Sequence, residues 1–73
     1  MKTFDELYAE YQKAIEVQKT VIGRYRRELL EAIKKTDMSE VKRLNSILCV
    51  LYEEKSELEE HAAEIGKYIL KLK

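Results

Sequence analysis

The chain has 73 residues, equal numbers of acidic and basic side chains, one cysteine, one histidine, two glycines and no proline. That length limits it to one domain with a small core, and a lone Cys49 with a lone His61 excludes an internal disulfide and the usual zinc spacings. Zero net charge argues against a general nucleic-acid-binding surface, and 45% apolar content without net charge argues against disorder.

The first residues, Met1 to Glu6, lack the apolar core of a signal peptide. The longest uninterrupted apolar run, Ile47 to Tyr52, falls far short of the ~20 residues that a membrane-spanning helix needs. With a single cysteine, these features lead to the expectation of a cytoplasmic protein.

Thr3 and Glu6 form a T-x-x-E capping box that opens a first helix, expected over about residues 4–35. Lys34 and Lys35 place cations at its C-terminal end, where the helix dipole favours them. Asp37, with Ser39 and Glu40 following, signals a second start. The second helix is expected over about 38–71, leaving a turn at 36–37. Each helix would be ~48 Å long. So short a connection allows only an antiparallel neighbour. The expected fold is therefore all-α: residues 1–73 form a single coiled-coil-like two-helix hairpin.

Spacings of four and three place Phe4, Tyr8, Tyr11, Ile15, Gln18, Ile22, Tyr25, Leu29 and Ala32 on one stripe of helix 1. The same alternation gives Val41, Leu44, Leu48, Leu51, Lys55, Leu58, Ala62, Ile65, Ile69 and Leu72 in helix 2. Folding at 36–37 pairs positions whose numbers sum to 73, and every seam position from Phe4/Ile69 to Ala32/Val41 then meets another. Small Ala62 faces large Tyr11, as close packing requires. The two polar intruders, Gln18 and Lys55, fall in the same layer, where a polar pair fixes register at some cost in stability.

The seam leaves other apolar residues unused. With the seam labelled a and d, the g and c positions hold Leu7, Ala14, Val17, Val21, Ile47, Val50 and Tyr68 on one broad face. The e positions opposite hold Asp5, Gln12, Lys19, Arg26, Asn45 and Glu59, interrupted by Ile33 and Tyr52. The first face is expected to cover itself by pairing with a second copy, closing a four-helix bundle. A helix from another protein laid in that groove is the alternative. Gly23 and Gly66 would each cost ~1 kcal/mol relative to alanine in a helix.

Candidate chemistry is sparse. His61, Glu57 and Glu64 share a helical face with ligand-like spacing, as does Glu54 one turn back. The recurrent E-x-x-H pair of helical metal sites is absent, because Leu58 stands three residues before His61. No nucleophile has an adjacent base, so no enzymatic activity, cofactor or small-molecule substrate is expected. Cys49, also without a base, reads as a small apolar residue.

Arg24, Arg26, Arg27, Lys34, Lys35, Lys42 and Arg43 cluster toward the turn against four carboxylates, a net +3 over residues 24–43. These cations are candidates for phosphate contacts. The competing reading is a solvated face with pairs such as Arg24/Glu28, Arg27/Glu31 and Glu31/Lys35, and it is preferred because no recognition-helix motif or stacking aromatics accompany the cluster. Residues 53–64 carry six glutamates and one lysine, a net −5. This strip is a candidate to attract a basic partner; in a self-paired dimer it would instead meet the Arg24–Arg27 region of the other copy and set its orientation.

Two known hairpin classes bear comparison. The chain resembles the small secreted Trp-x-Gly proteins in length, but its turn is Lys35-Thr36-Asp37-Met38 and it has no tryptophan. It resembles the hairpin phosphatases of sporulation control in shape. Their Ser-Gln-x-x-x-Asp-like signature is absent from Leu44-Asn45-Ser46-Ile47-Leu48-Cys49. The reading that remains is a non-enzymatic interaction and assembly module. A nucleic-acid-associated regulator and a metal-binding bundle are the alternatives.

Overall fold

Two capping side chains set where the helices begin. In the computed structural model, which describes residues 2–72, Thr3 Oγ1 accepts a hydrogen bond from the Glu6 amide at 3.2 Å. Asp37 Oδ1 accepts one from the Glu40 amide at the same distance. Each satisfies a first-turn N–H that has no partner inside its helix. The helices they open are α1, Phe4–Lys34, and α2, Met38–Leu72. Both end within one residue of the limits expected from the sequence.

The reversal between them is tighter than its sequence suggests. Lys35 is still helical and Thr36 has φ of 57°, in the left-handed region. The Thr36 amide donates to the Ile33 carbonyl and the Asp37 amide to the Ala32 carbonyl, both at 3.0 Å. This is a Schellman motif, which normally places glycine at the left-handed residue. Asp37 therefore has two roles: its amide closes α1 and its side chain caps α2. A β-branched residue at positive φ is costly, and only a surrounding structure that fixes the turn retains it.

α1 and α2 pack along their whole length into a rod of 54 × 18 × 14 Å. The buried side chains are Ile15, Ile22 and Ala32 from α1 with Leu44, Leu48 and Ala62 from α2. All six lie on the expected seam. Cross-helix neighbours confirm the register: Tyr8 lies 3.6 Å from where a Cβ of Gly66 would stand, and Tyr11 meets His61. The seam opens toward the free ends, where Phe4, Tyr8 and Leu72 are exposed.

Replacing Thr36 with glycine should relieve the left-handed strain and stabilise the hairpin by about 1 kcal/mol, after allowing for the flexibility glycine adds to the unfolded chain. Thermal melting should show a rise of roughly 4–8 °C.

Candidate functional site

The polar layer lies at mid-seam, and its members are satisfied separately. Gln18 Nε2 donates to the Leu51 carbonyl at 3.1 Å and to Glu54 Oε2 at 3.2 Å. Among the described residues, these are the side-chain hydrogen bonds that cross from α1 to α2. Lys55 keeps its stem in the seam and turns its ammonium to Glu59, 2.5 Å away and one turn on. Its hydrogen bond to Glu59 holds that carboxyl below its ordinary range. The pair's contribution is present above that range and is lost as acid protonates the carboxylate. No buried side-chain nitrogen or oxygen among the described residues lacks a partner.

The face expected to self-associate is only partly open. Leu7, Ala14, Val21 and Ile47 are half-buried at the margin of the seam, whereas Val17, Val50 and Tyr68 are more than half exposed. Val17, Val21, Ile47 and Val50 gather around the middle of the rod. Tyr68 sits near the free end with one ring face already engaged, stacked on Phe4 at 5.7 Å. The Lys71 ammonium lies 5.8 Å from the same ring.

The opposite face is less polar than its e positions suggest. Leu30, Ile33 and Met38 are each more than half exposed near the turn, and Leu70 is exposed near the free end. Leu30, Ala63 and Leu70 occupy b positions. Counting b together with e would have found them in the sequence. Beside Ala63 and Leu70 runs a shallow groove of about 520 Å³, with Tyr8 and Gly66 in its wall.

His61, Glu57 and Glu64 do not converge. Among the described residues, no three histidine, cysteine or carboxylate side chains are placed to hold one metal ion. His61 instead meets Tyr11 edge-on, with ring centroids 5.9 Å apart. Cys49 is an exposed free thiol.

The basic cluster is spread over the turn-proximal surface rather than gathered into one cradle. Arg26, Arg27, Lys34, Lys35 and Lys42 are exposed. Arg24 lies over the Tyr25 ring, 5.6 Å from its centroid. Arg43 Nε donates to Glu40 at 3.1 Å, which lowers the Glu40 pKa and raises that of Arg43. Lys34 pairs with Glu31 at 3.8 Å. The pairs expected one turn apart, Arg24/Glu28, Arg27/Glu31 and Glu31/Lys35, are not among the ion pairs of the described residues. Glu31 pairs with Lys34 at i+3 instead.

No helix among the described residues is long and apolar enough to cross a membrane. Comparison of the chain with protein-family models, curated proteins and solved structures gives no match. The two faces must therefore be read from their own chemistry.

Replacing both Gln18 and Lys55 with leucine should raise the melting temperature, because two desolvated polar groups give way to apolar packing. The gain should be about 1 kcal/mol, kept small by the partial exposure of Lys55. The association state should become less uniform, because the layer that fixes register is gone.

Proposed function

We propose that this chain is a non-enzymatic self-association module whose hairpin pairs with a second copy through the Val17–Val21–Val50 face to form a four-helix bundle. The observation that carries this reading is surface area. The hairpin exposes 5887 Å². A globular monomer of 8.7 kDa would expose about 4,700 Å². The radius of gyration, 16.5 Å, likewise exceeds the roughly 11 Å of a compact chain of this length. The surplus, about 1,200 Å² per copy, is at least the roughly 800 Å² that a standard interface takes from each partner.

The position of the patch supports pairing with itself. Val17, Val21, Ile47 and Val50 lie near mid-rod, so a two-fold axis through the middle brings the patch onto its own image. Among the described residues the seam buries six side chains, of which Leu44 alone is fully enclosed, a small core for an independent domain.

Sedimentation equilibrium on untagged protein at micromolar concentrations tests the reading. The wild type should sediment at twice the chain mass or more. Val21→Glu should weaken association through this face by about 2–3 kcal/mol, roughly 30- to 150-fold, by burying an unpaired carboxylate. Circular dichroism should show most of the helix retained. A Val21→Glu protein with wild-type mass and melting temperature would remove this face from the assembly.

A further inference from the structure

The face opposite Val21 carries two features at opposite ends of the rod that fit each other. Near the turn, Leu30, Ile33 and Met38 project into solvent, each more than half exposed. Near the free end lies the groove between Tyr8, Ala63, Gly66 and Leu70. The groove is shallow, and residue 66 in its wall has no side chain to fill it. Tyr8 lies along α2 there, 3.6 Å from the point a Cβ would occupy. Leu30, Ile33, Met38, Ala63, Gly66 and Leu70 all occupy b or e positions of the heptad, so projection and groove share one face.

Their spacing selects an arrangement. Measured along the seam, the projection and the groove are about 26 residues apart, or roughly 40 Å. Their midpoint coincides with the middle of the rod, close to Lys19 and Tyr52. Two hairpins laid face to face, antiparallel and in full overlap, therefore seat each projection in the other's groove.

Charge favours the same arrangement. On this face the groove half carries Asp5, Glu16 and Glu59 against Lys67 in the groove wall and Lys19, paired with Glu16, at the middle; the projection half carries Arg26 and Lys42, with Lys34 beside them at the edge. Head-to-tail overlap opposes unlike ends, whereas parallel overlap opposes like ends. The Val21 face lacks this complement. Its acidic half, with Glu10, Glu54, Glu57 and Glu64, faces a turn half where Glu28, Glu31 and Glu40 are matched in number by Arg24, Lys35 and Arg43. Area points the same way, since one standard interface, about 800 Å² per partner, leaves part of the surplus surface uncovered.

We propose that this second face is a head-to-tail self-association surface, in which Leu30, Ile33 and Met38 of one copy occupy the groove beside Gly66 of another. It is independent of the Val21 face. Two self-complementary faces on opposite sides of one rod carry assembly past the dimer.

Sedimentation of four proteins tests this: wild type, Leu30→Glu/Ile33→Glu, Gly66→Leu and Val21→Glu. The first pair of substitutions falls on exposed side chains, and circular dichroism should show an intact hairpin. Gly66→Leu fills the groove without adding charge. The expected result is wild-type assembly beyond two copies, reduced to the dimer by either Leu30→Glu/Ile33→Glu or Gly66→Leu. A wild-type dimer that becomes monomeric with Leu30→Glu/Ile33→Glu and with Gly66→Leu, but survives Val21→Glu, would support this face and overturn the Val21 face. Unchanged mass for Leu30→Glu/Ile33→Glu would overturn the second face. A loss with Leu30→Glu/Ile33→Glu that Gly66→Leu does not reproduce would overturn the groove as the seat. A monomeric wild type would overturn both faces.

Discussion

Two helices packed side by side share one seam, and that geometry governs everything else here. Each helix can turn only one stripe toward its partner, so most of its circumference stays outside whatever the sequence. A third or fourth helix would enclose a true core, but two cannot. The molecule accordingly seals a narrow line of side chains, with Leu44 at 1% exposure the most enclosed, and leaves two broad faces open. The apolar residues on those faces are the ones the proposed pairing would cover.

The seam needs a fixed register before either face can have a fixed shape, and three local devices supply it. The turn sets the starting point, because Asp37 closes one helix and caps the next, leaving no slack for the chain to slip. Gln18 then clamps α1 to α2 at mid-rod through Leu51 and Glu54. Aromatic rings finish the free end, with Phe4 stacked on Tyr68 and Tyr11 edge-on to His61. Aromatic contacts of this kind add specificity beyond the area they bury. They occur where the aliphatic seam is most open and geometry is least determined.

The seam was legible because its signal repeats many times. Alternating steps of four and three over two helices leave little freedom, and pairing Gln18 with Lys55 in one layer fixes the fold point. The caps were legible for a different reason: Thr3 and Asp37 are residue types whose side-chain oxygens reach the third amide onward. Thr36 was not legible, since a left-handed residue is ordinarily announced by glycine or asparagine. Here the energy comes from the packing of both helices, not from local preference. The partners of exposed charges were equally hidden. Several carboxylates on a helix surface compete for each cation at nearly equal energy, so sequence spacing fixes which pairs are available but not which form. The b-position residues Leu30, Ala63 and Leu70 were readable in principle. They escape a count restricted to e positions because a two-helix face is wider than one heptad line.

The acidic strip of residues 53–64 shows how far the arrangement departs from what one isolated hairpin would select. Glu53/Glu57 and Glu60/Glu64 set like charges one turn apart, each costing a few tenths of a kcal/mol. Only Lys55 offers α2 a local counter-charge there, and its ammonium is committed to Glu59. A sequence shaped for helix stability alone would intersperse lysines through this stretch, as it does with Glu40/Arg43 and Glu31/Lys34 near the turn. Leaving one end of the rod acidic while cations gather at the other gains nothing within a single copy, because the two ends are tens of ångströms apart and screened from each other by salt. The separation gains value only when a second rod lies antiparallel against the first and brings opposite ends within a few ångströms. Charge segregation of this kind costs little in the monomer and would discriminate between orientations in the proposed head-to-tail assembly, where Glu59 is the member of the strip on the contact face.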